Sequence, residues 1–229
     1  MSDASHTPYK RDQVERAIAI ASHIGSPDRD ARFAPLRIEL KRLLDRDRKQ
    51  ESETPRGRPA RRAFHSAPPP GRGIDVMYTG YEAYALLIAM RLLRSGLTQA
   101  RAVAFMSALR APLAGFHYET LRESSAKLRS DVDATERPNL VRDGVLVDDP
   151  TKMAYLVALA GERAEAFDAP SSAERPVSGN ICRSLDDLVH RMRWASHEGH
   201  ALIVIELVNA AHQLAYHLDR IPPRSRGRG

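Results

Sequence analysis

At 229 residues, with 42% hydrophobic and 28% charged side chains, the chain holds material for one large or two small folded domains. A single cysteine, Cys182, excludes an internal disulfide framework and a cysteine-rich zinc site, and fits a reducing compartment. The formal net charge is +6, unevenly spread: 13 basic against 6 acidic side chains between Arg29 and Arg72, but 9 basic against 15 acidic between Asp131 and Arg220. Such polarity directs one half of the molecule toward a polyanion.

Residues 1–13 lack the apolar run of a signal peptide, and the most apolar stretch, 201–208, is too short to span a bilayer and contains Glu206. A cytoplasmic, nucleoid-associated protein is expected. Residues 9–24 predict a short amphipathic helix with Val14, Ala17, Ile18 and Ala21 on one face. Gly25-Ser26-Pro27-Asp28 reads as a turn and a helix start. A second helix is predicted from Ala31 or Pro35 to Leu44, burying Leu36, Leu40, Leu43 and Leu44 and exposing Arg32, Arg37, Lys41 and Arg42. Helix, turn and basic helix form the skeleton of a helix-turn-helix, although a plain helical hairpin has the same pattern.

Residues 45–73 read as a basic, partly disordered insertion with charge runs and Pro68-Pro69-Pro70. Within it, Pro55-Arg56-Gly57-Arg58-Pro59 resembles the core of an AT-hook, and Arg61 and Arg62 follow after Ala60. The glycine lets backbone lie close to a groove floor, and the prolines keep the chain extended. Two guanidinium groups can then spread along a narrow A·T-rich minor groove. Residues 74–110 carry the strongest helical pattern: a helix over 81–94, stopped at Gly96, and another capped by Thr98, running through Leu109 and ended by Pro112.

Tyr9-Lys10 opening a small helix, a second helix, an extended basic wing and Tyr78-Thr79-x-x-Glu82 before a long helix resemble MerR-type winged helix-turn-helix domains. The run Arg91-Leu92-Leu93-Arg94-Ser95-Gly96-Leu97-Thr98 is similar to the join that closes them, and the resemblance covers residues 9–109. It implies a dimeric transcriptional regulator whose second helix (Arg37, Lys41, Arg42) and wing (Arg72, Tyr78) touch DNA. The wing region here is longer than the family's, and no long heptad helix follows Leu109.

The remainder predicts a hairpin over 139–147, a strand or helix over 153–160, a loop over 168–179 and a helix over 185–197. That helix would bury Leu185, Leu188, Val189, Met192 and Trp194. A buried strand over 201–205 and a terminal helix over 207–218 complete it. His197 and His200 lack the spacing that puts two imidazoles on one helix face, His212 and His217 diverge, and Cys182 reads as an ordinary thiol.

The expected fold is mainly α. A winged helix-turn-helix-like domain (1–112, with the insertion at 45–73) precedes a small α+β dimerisation or regulatory domain (113–220) and a basic disordered tail (221–229). The expected function is non-enzymatic regulation of transcription by a homodimer on double-stranded DNA, without metal or cofactor. Its contacts would be Arg32, Arg37, Lys41, Arg42, Arg56, Gly57, Arg58, Arg61, Arg62, Arg72 and Tyr78. Two alternatives stay open: an A·T-preferring architectural protein, and an interaction module or hydrolase centred on the C-terminal half.

Overall fold

The computed structural model describes residues 8–23, 31–52, 62–66, 76–123, 151–160, 178–197 and 201–223. Among them are seven helices and two small antiparallel sheets, a mainly helical fold. The expected hairpin over 139–147 and residues 224–229 of the expected 221–229 tail lie outside the described residues. Residues 221–223 are described, and Ile221 and Pro222 are held by α1 (Arg11–Ala21), so the tail's expected start is corrected.

The chain enters through β1 (Tyr9–Lys10), α1 (Arg11–Ala21) and α2 (Phe33–Ser52). Strand β2 (Met77–Tyr78) pairs antiparallel with β1, setting Tyr9 opposite Tyr78 and Lys10 opposite Met77. Helix α3 (Gly80–Arg94) follows, closed at its start by a reciprocal cap. Glu82 N–H donates to Thr79 Oγ1 at 3.2 Å, and Thr79 N–H donates to Glu82 Oε2 at 2.8 Å. Gly96, with φ of 98°, ends it as the sequence predicts, because that left-handed conformation strains any residue with a Cβ. Every residue from Glu82 to Met90 is buried and all but Glu82 are uncharged, so α3 is covered around its circumference and forms the axis of the core. Helices α1, α2, α4 (Gln99–Ala108) and α5 (Arg110–Arg122) pack around it.

Helix α5 departs from the sequence reading. Pro112 does not end the preceding helix but sits in the first turn of α5, where its missing N–H would have had no helical partner anyway. The expected domain boundary at residue 112 therefore falls inside a helix.

Strands β3 (Tyr155–Ala160), β4 (Ser178–Cys182) and β5 (Ala201–Glu206) form an antiparallel sheet in the order β4-β3-β5. Val157 of β3 lies between Asn180 and Val204. Leu156, Ala158 and Ile205 join the main core, while Val157, Cys182 and Leu188 form a smaller cluster beneath α6 (Leu185–His197) on the other face. The final helix, α7 (Val208–Arg220), is strongly embedded: Val208, Ala210, Ala211, Leu214 and Leu218 share one apolar core with Val14, Ile18 and Ile88.

Polar contacts tie α7 to the N-terminal elements. Tyr9 Oη donates to Asp219 Oδ1 at 2.8 Å, Gln13 Nε2 to the Ile221 carbonyl at 2.7 Å, and Arg16 Nη2 to the Pro222 carbonyl at 2.5 Å. Burial and the neighbouring Asp219 push the Tyr9 phenol up to about 12. Deeper inside, the buried Tyr84 hydroxyl donates to the Leu207 carbonyl at 3.2 Å. The described residues on the two sides of position 112 are thus joined through one core.

Two burial expectations need correction. Of the α6 side chains expected inside, only Leu188 is buried; Leu185, Val189, Met192 and Trp194 are all exposed. Strand β5 forms over the expected span, but it lies at a sheet edge among the described residues and only Ile205 is fully buried.

Candidate nucleic-acid interface

Helix α2 separates its residues cleanly. Leu36, Leu40, Leu43, Leu44 and Asp47 are buried, whereas Arg37, Ile38, Lys41, Arg42, Asp45, Arg48 and Lys49 are exposed. At 100° per residue the exposed set falls on one face, with five cations and one carboxylate. Arg37 is held rather than loose. Its Nε donates to Glu15 Oε2 at 2.8 Å, Arg11 Nε donates to Glu15 Oε1 at 2.7 Å, and the Phe33 ring lies 5.9 Å from the Arg37 guanidinium carbon. The Glu15 side chain is 5% exposed and that of Arg37 is 59% exposed, so a buried carboxylate orients a surface guanidinium. Arg48 pairs with Asp45 at 3.4 Å, an exposed contact of little energetic weight.

The helix continues to Ser52, eight residues past the expected end at Leu44, and the additional turns include a buried carboxylate. Asp47 accepts from the N–H groups of Ala63 at 2.8 Å and Phe64 at 3.2 Å. Ala63, Phe64 and His65 are buried. Arg110 clasps the same segment from α5: Nη1 donates to the Arg62 and Ala63 carbonyls at 2.9 and 3.0 Å, and Nη2 to Ser66 Oγ at 3.0 Å. Ser66 N–H donates to Glu82 Oε1 at 2.5 Å. The expectation of a linker-like, partly disordered insertion over 45–73 is corrected for two parts of it: residues 45–52 are helical and 62–66 are anchored in the core.

Burial raises the Asp47 carboxyl above its ordinary range, and the two backbone N–H groups, with His65 and Arg110 nearby, pull against that shift. Burial lowers His65, favouring the neutral ring, against the opposing pull of Glu82 and Asp47. Its ring lies 5.3 Å from that of Tyr78, and its Nε2 is buried without a hydrogen-bond partner. An open cleft of about 920 Å³ borders this anchor, with Arg62, His65, Ser66, Ser107 and Arg110 among its lining residues.

The sequence-predicted contacts divide three ways. Arg37, Lys41 and Arg42 share the exposed α2 face, with Arg32 exposed just before it. Arg62 is half-buried at the anchor, its carbonyl held by Arg110. Tyr78, expected at the wing surface, is buried at 2% exposure, and its phenol is pushed up to about 12 by burial; its side chain packs in the core rather than facing a ligand. Arg56, Gly57, Arg58, Arg61 and Arg72 lie outside the described residues. Sequence reasoning missed Glu15, Asp47, Phe64 and Arg110; an isolated Ala63-Phe64 pair inside a basic run was the available signal.

Elsewhere, Glu206 accepts from Val208 N–H at 2.7 Å and Asn209 N–H at 3.0 Å at the start of α7, with burial raising its carboxyl. Cys182 is buried and its thiol is raised by that burial. No helix among the described residues is long and apolar enough to cross a membrane. Comparison with protein-family models, curated proteins and solved structures gave no match.

Proposed function

We propose that this chain is a double-stranded DNA-binding regulator of transcription. In this reading the exposed face of α2 lies in a major groove, and the arginine-rich segment between α2 and Ala63 enters the adjoining minor groove. The observation that carries it is the α2 face itself: Arg37, Lys41, Arg42, Arg48 and Lys49 on one side, with Arg37 oriented by Glu15. An oriented guanidinium loses less freedom on meeting a guanine edge or a phosphate.

Dimensions support the pairing of grooves. From Arg37 to Ser52 the helix advances about 22 Å at 1.5 Å per residue. A minor groove lies roughly half a helical turn, about 17 Å, from the major groove beside it. The Pro55-Arg56-Gly57-Arg58-Pro59 segment begins three residues after Ser52, and Ala63 and Phe64 tether the chain just beyond it. The order β1, α1, α2, β2, α3, α4, with β1 paired to β2 across the two helices, is compatible with the winged helix-turn-helix that the sequence resembles. The basic half supplies phosphate neutralisation whatever the base sequence.

Fluorescence anisotropy against labelled duplexes over a salt series tests the reading. With about five phosphates contacted, log K falls against log[salt] with a slope near −4 to −5. Alanine at Arg56 and Arg58 weakens binding to A·T-rich flanks, and alanine at Arg37 or Lys41 changes which sites are chosen. Absence of binding to any duplex at low salt defeats the proposal.

A further inference from the structure

We propose that two copies of this chain join about a two-fold axis through the edge of β5 and the neighbouring flank of α6, with β5 pairing antiparallel to its own copy. Helix α6 buries only Leu188 and Ala195, while Leu185, Val189 and Met192 remain 48%, 38% and 48% exposed. Their i, i+4, i+7 spacing makes one apolar stripe, about 75–80° around the helix from the buried pair.

Topology gives that stripe a direction. β4 and β5 are both antiparallel to β3, so they run parallel to each other on either side of it, linked through α6. A connection of this type between parallel strands is right-handed. In a right-handed unit the stripe flank of α6 looks toward β5, and the opposite flank, with Trp194, looks toward β4. Val204, 41% exposed, sits on the same sheet face as Leu202, which packs in the α6 cluster. The helix stripe and the strand edge therefore open to the same side.

Among the described residues, this edge shows none of the usual protections. From Ala201 to Ile205 it carries no charge and no proline, and among the described residues no strand pairs with its outer side. Edge strands without lysine, proline or a bulge invite another strand. A second copy fits this surface better than a foreign partner, because an antiparallel pairing of one strand with itself is self-complementary about a two-fold axis. Charge agrees: Asp186 near the start of α6 and Arg193 near its end lie on the same side of the stripe. The symmetry brings Asp186 opposite the partner's Arg193 and repeats the pair at the other end.

Sedimentation velocity of the full chain, without DNA, tests this across a concentration series. The expected result is a concentration-dependent dimer. Val204→Lys and Val189→Glu shift it to monomer while circular dichroism stays unchanged. Asp186→Arg alone and Arg193→Asp alone each weaken the dimer several-fold, and the double exchange restores it. A wild-type chain that stays monomeric at every concentration overturns the proposal, as does a dimer indifferent to all of these variants. Because no nucleic acid enters the measurement, failure here is distinguishable from failure of the DNA-binding reading.

Discussion

Replacing Asp47 by alanine tests whether the segment beyond α2 is anchored as described. The carboxylate accepts from two amides, Ala63 at 2.8 Å and Phe64 at 3.2 Å, in a buried site. Alanine leaves both donors without a partner, at about 1–3 kcal/mol each, or about 2–6 kcal/mol together. One effect opposes this loss: burial raises the Asp47 carboxyl, so its ionised form already carries a desolvation cost that alanine abolishes. The net loss should therefore fall in the lower part of that range, about 2–4 kcal/mol. Asp47→Asn keeps the shape and one acceptor oxygen but turns an amide donor toward the second N–H, costing about 1–3 kcal/mol. Urea unfolding gives the differences from the shift in midpoint at constant slope. Hydrogen exchange should find the Ala63 and Phe64 amides protected in the wild type and exposed in Asp47→Ala, ahead of global unfolding. An alanine variant within about 0.5 kcal/mol of wild type, with both amides still protected, would refute the anchor.

Other expectations concern distinct parts of the molecule. Glu15→Gln makes the chain one unit more positive, yet it should weaken selective DNA binding by releasing Arg37; a uniform gain on all duplexes, read by anisotropy, would show Arg37 acting as mere charge. Gly179→Ala should destabilise the fold by about 1–3 kcal/mol, because an added Cβ meets the Phe105 ring; an unchanged melting temperature would contradict that packing. Burial holds His65 and His212 below the ordinary 6.5, so the unfolded chain binds more protons just below that pH. The stability they support is complete above 6.5 and declines as pH falls through their lowered values; urea midpoints across this window should show the decline, and His65→Phe should flatten it. Tyr84→Phe should cost about 1 kcal/mol by removing the hydrogen bond to the Leu207 carbonyl, measured by chemical unfolding.

Local signals in the sequence were read well where the physics is local. Thr79 with Glu82, Gly96, and the periodic leucines of α2 each fix a helix by contacts within a few residues: α3 has its expected bounds to within a residue and α2 its expected start and buried face, although α2 runs on to Ser52. The helix over 185–197 was equally legible, but its exposed side was not, since Leu185, Val189 and Met192 look like core until the sheet beneath is known. The exposure of β5 is not legible for the same reason: an apolar run does not reveal how much of its two faces and edges the rest of the fold will cover. The anchor was hidden because Asp47 and Ala63 are sixteen residues apart, and a charged residue in a charged run gives no hint of burial. Of the candidate interface, the α2 cations were visible in the spacing; the carboxylate that orients Arg37 comes from another helix and was not.

The clasp between α7 and the first strand and helix has a kinetic corollary. Tyr9, Gln13 and Arg16 meet Asp219, Ile221 and Pro222 across separations of more than 200 residues. On the ribosome, α1 can curl early but cannot find its final neighbours until residues 208–222 have emerged, so the N-terminal helical unit matures late and slowly. Any nascent chain stalled before that point leaves the Ile18 face open to solvent, the kind of exposed apolar surface that aggregates or engages chaperones.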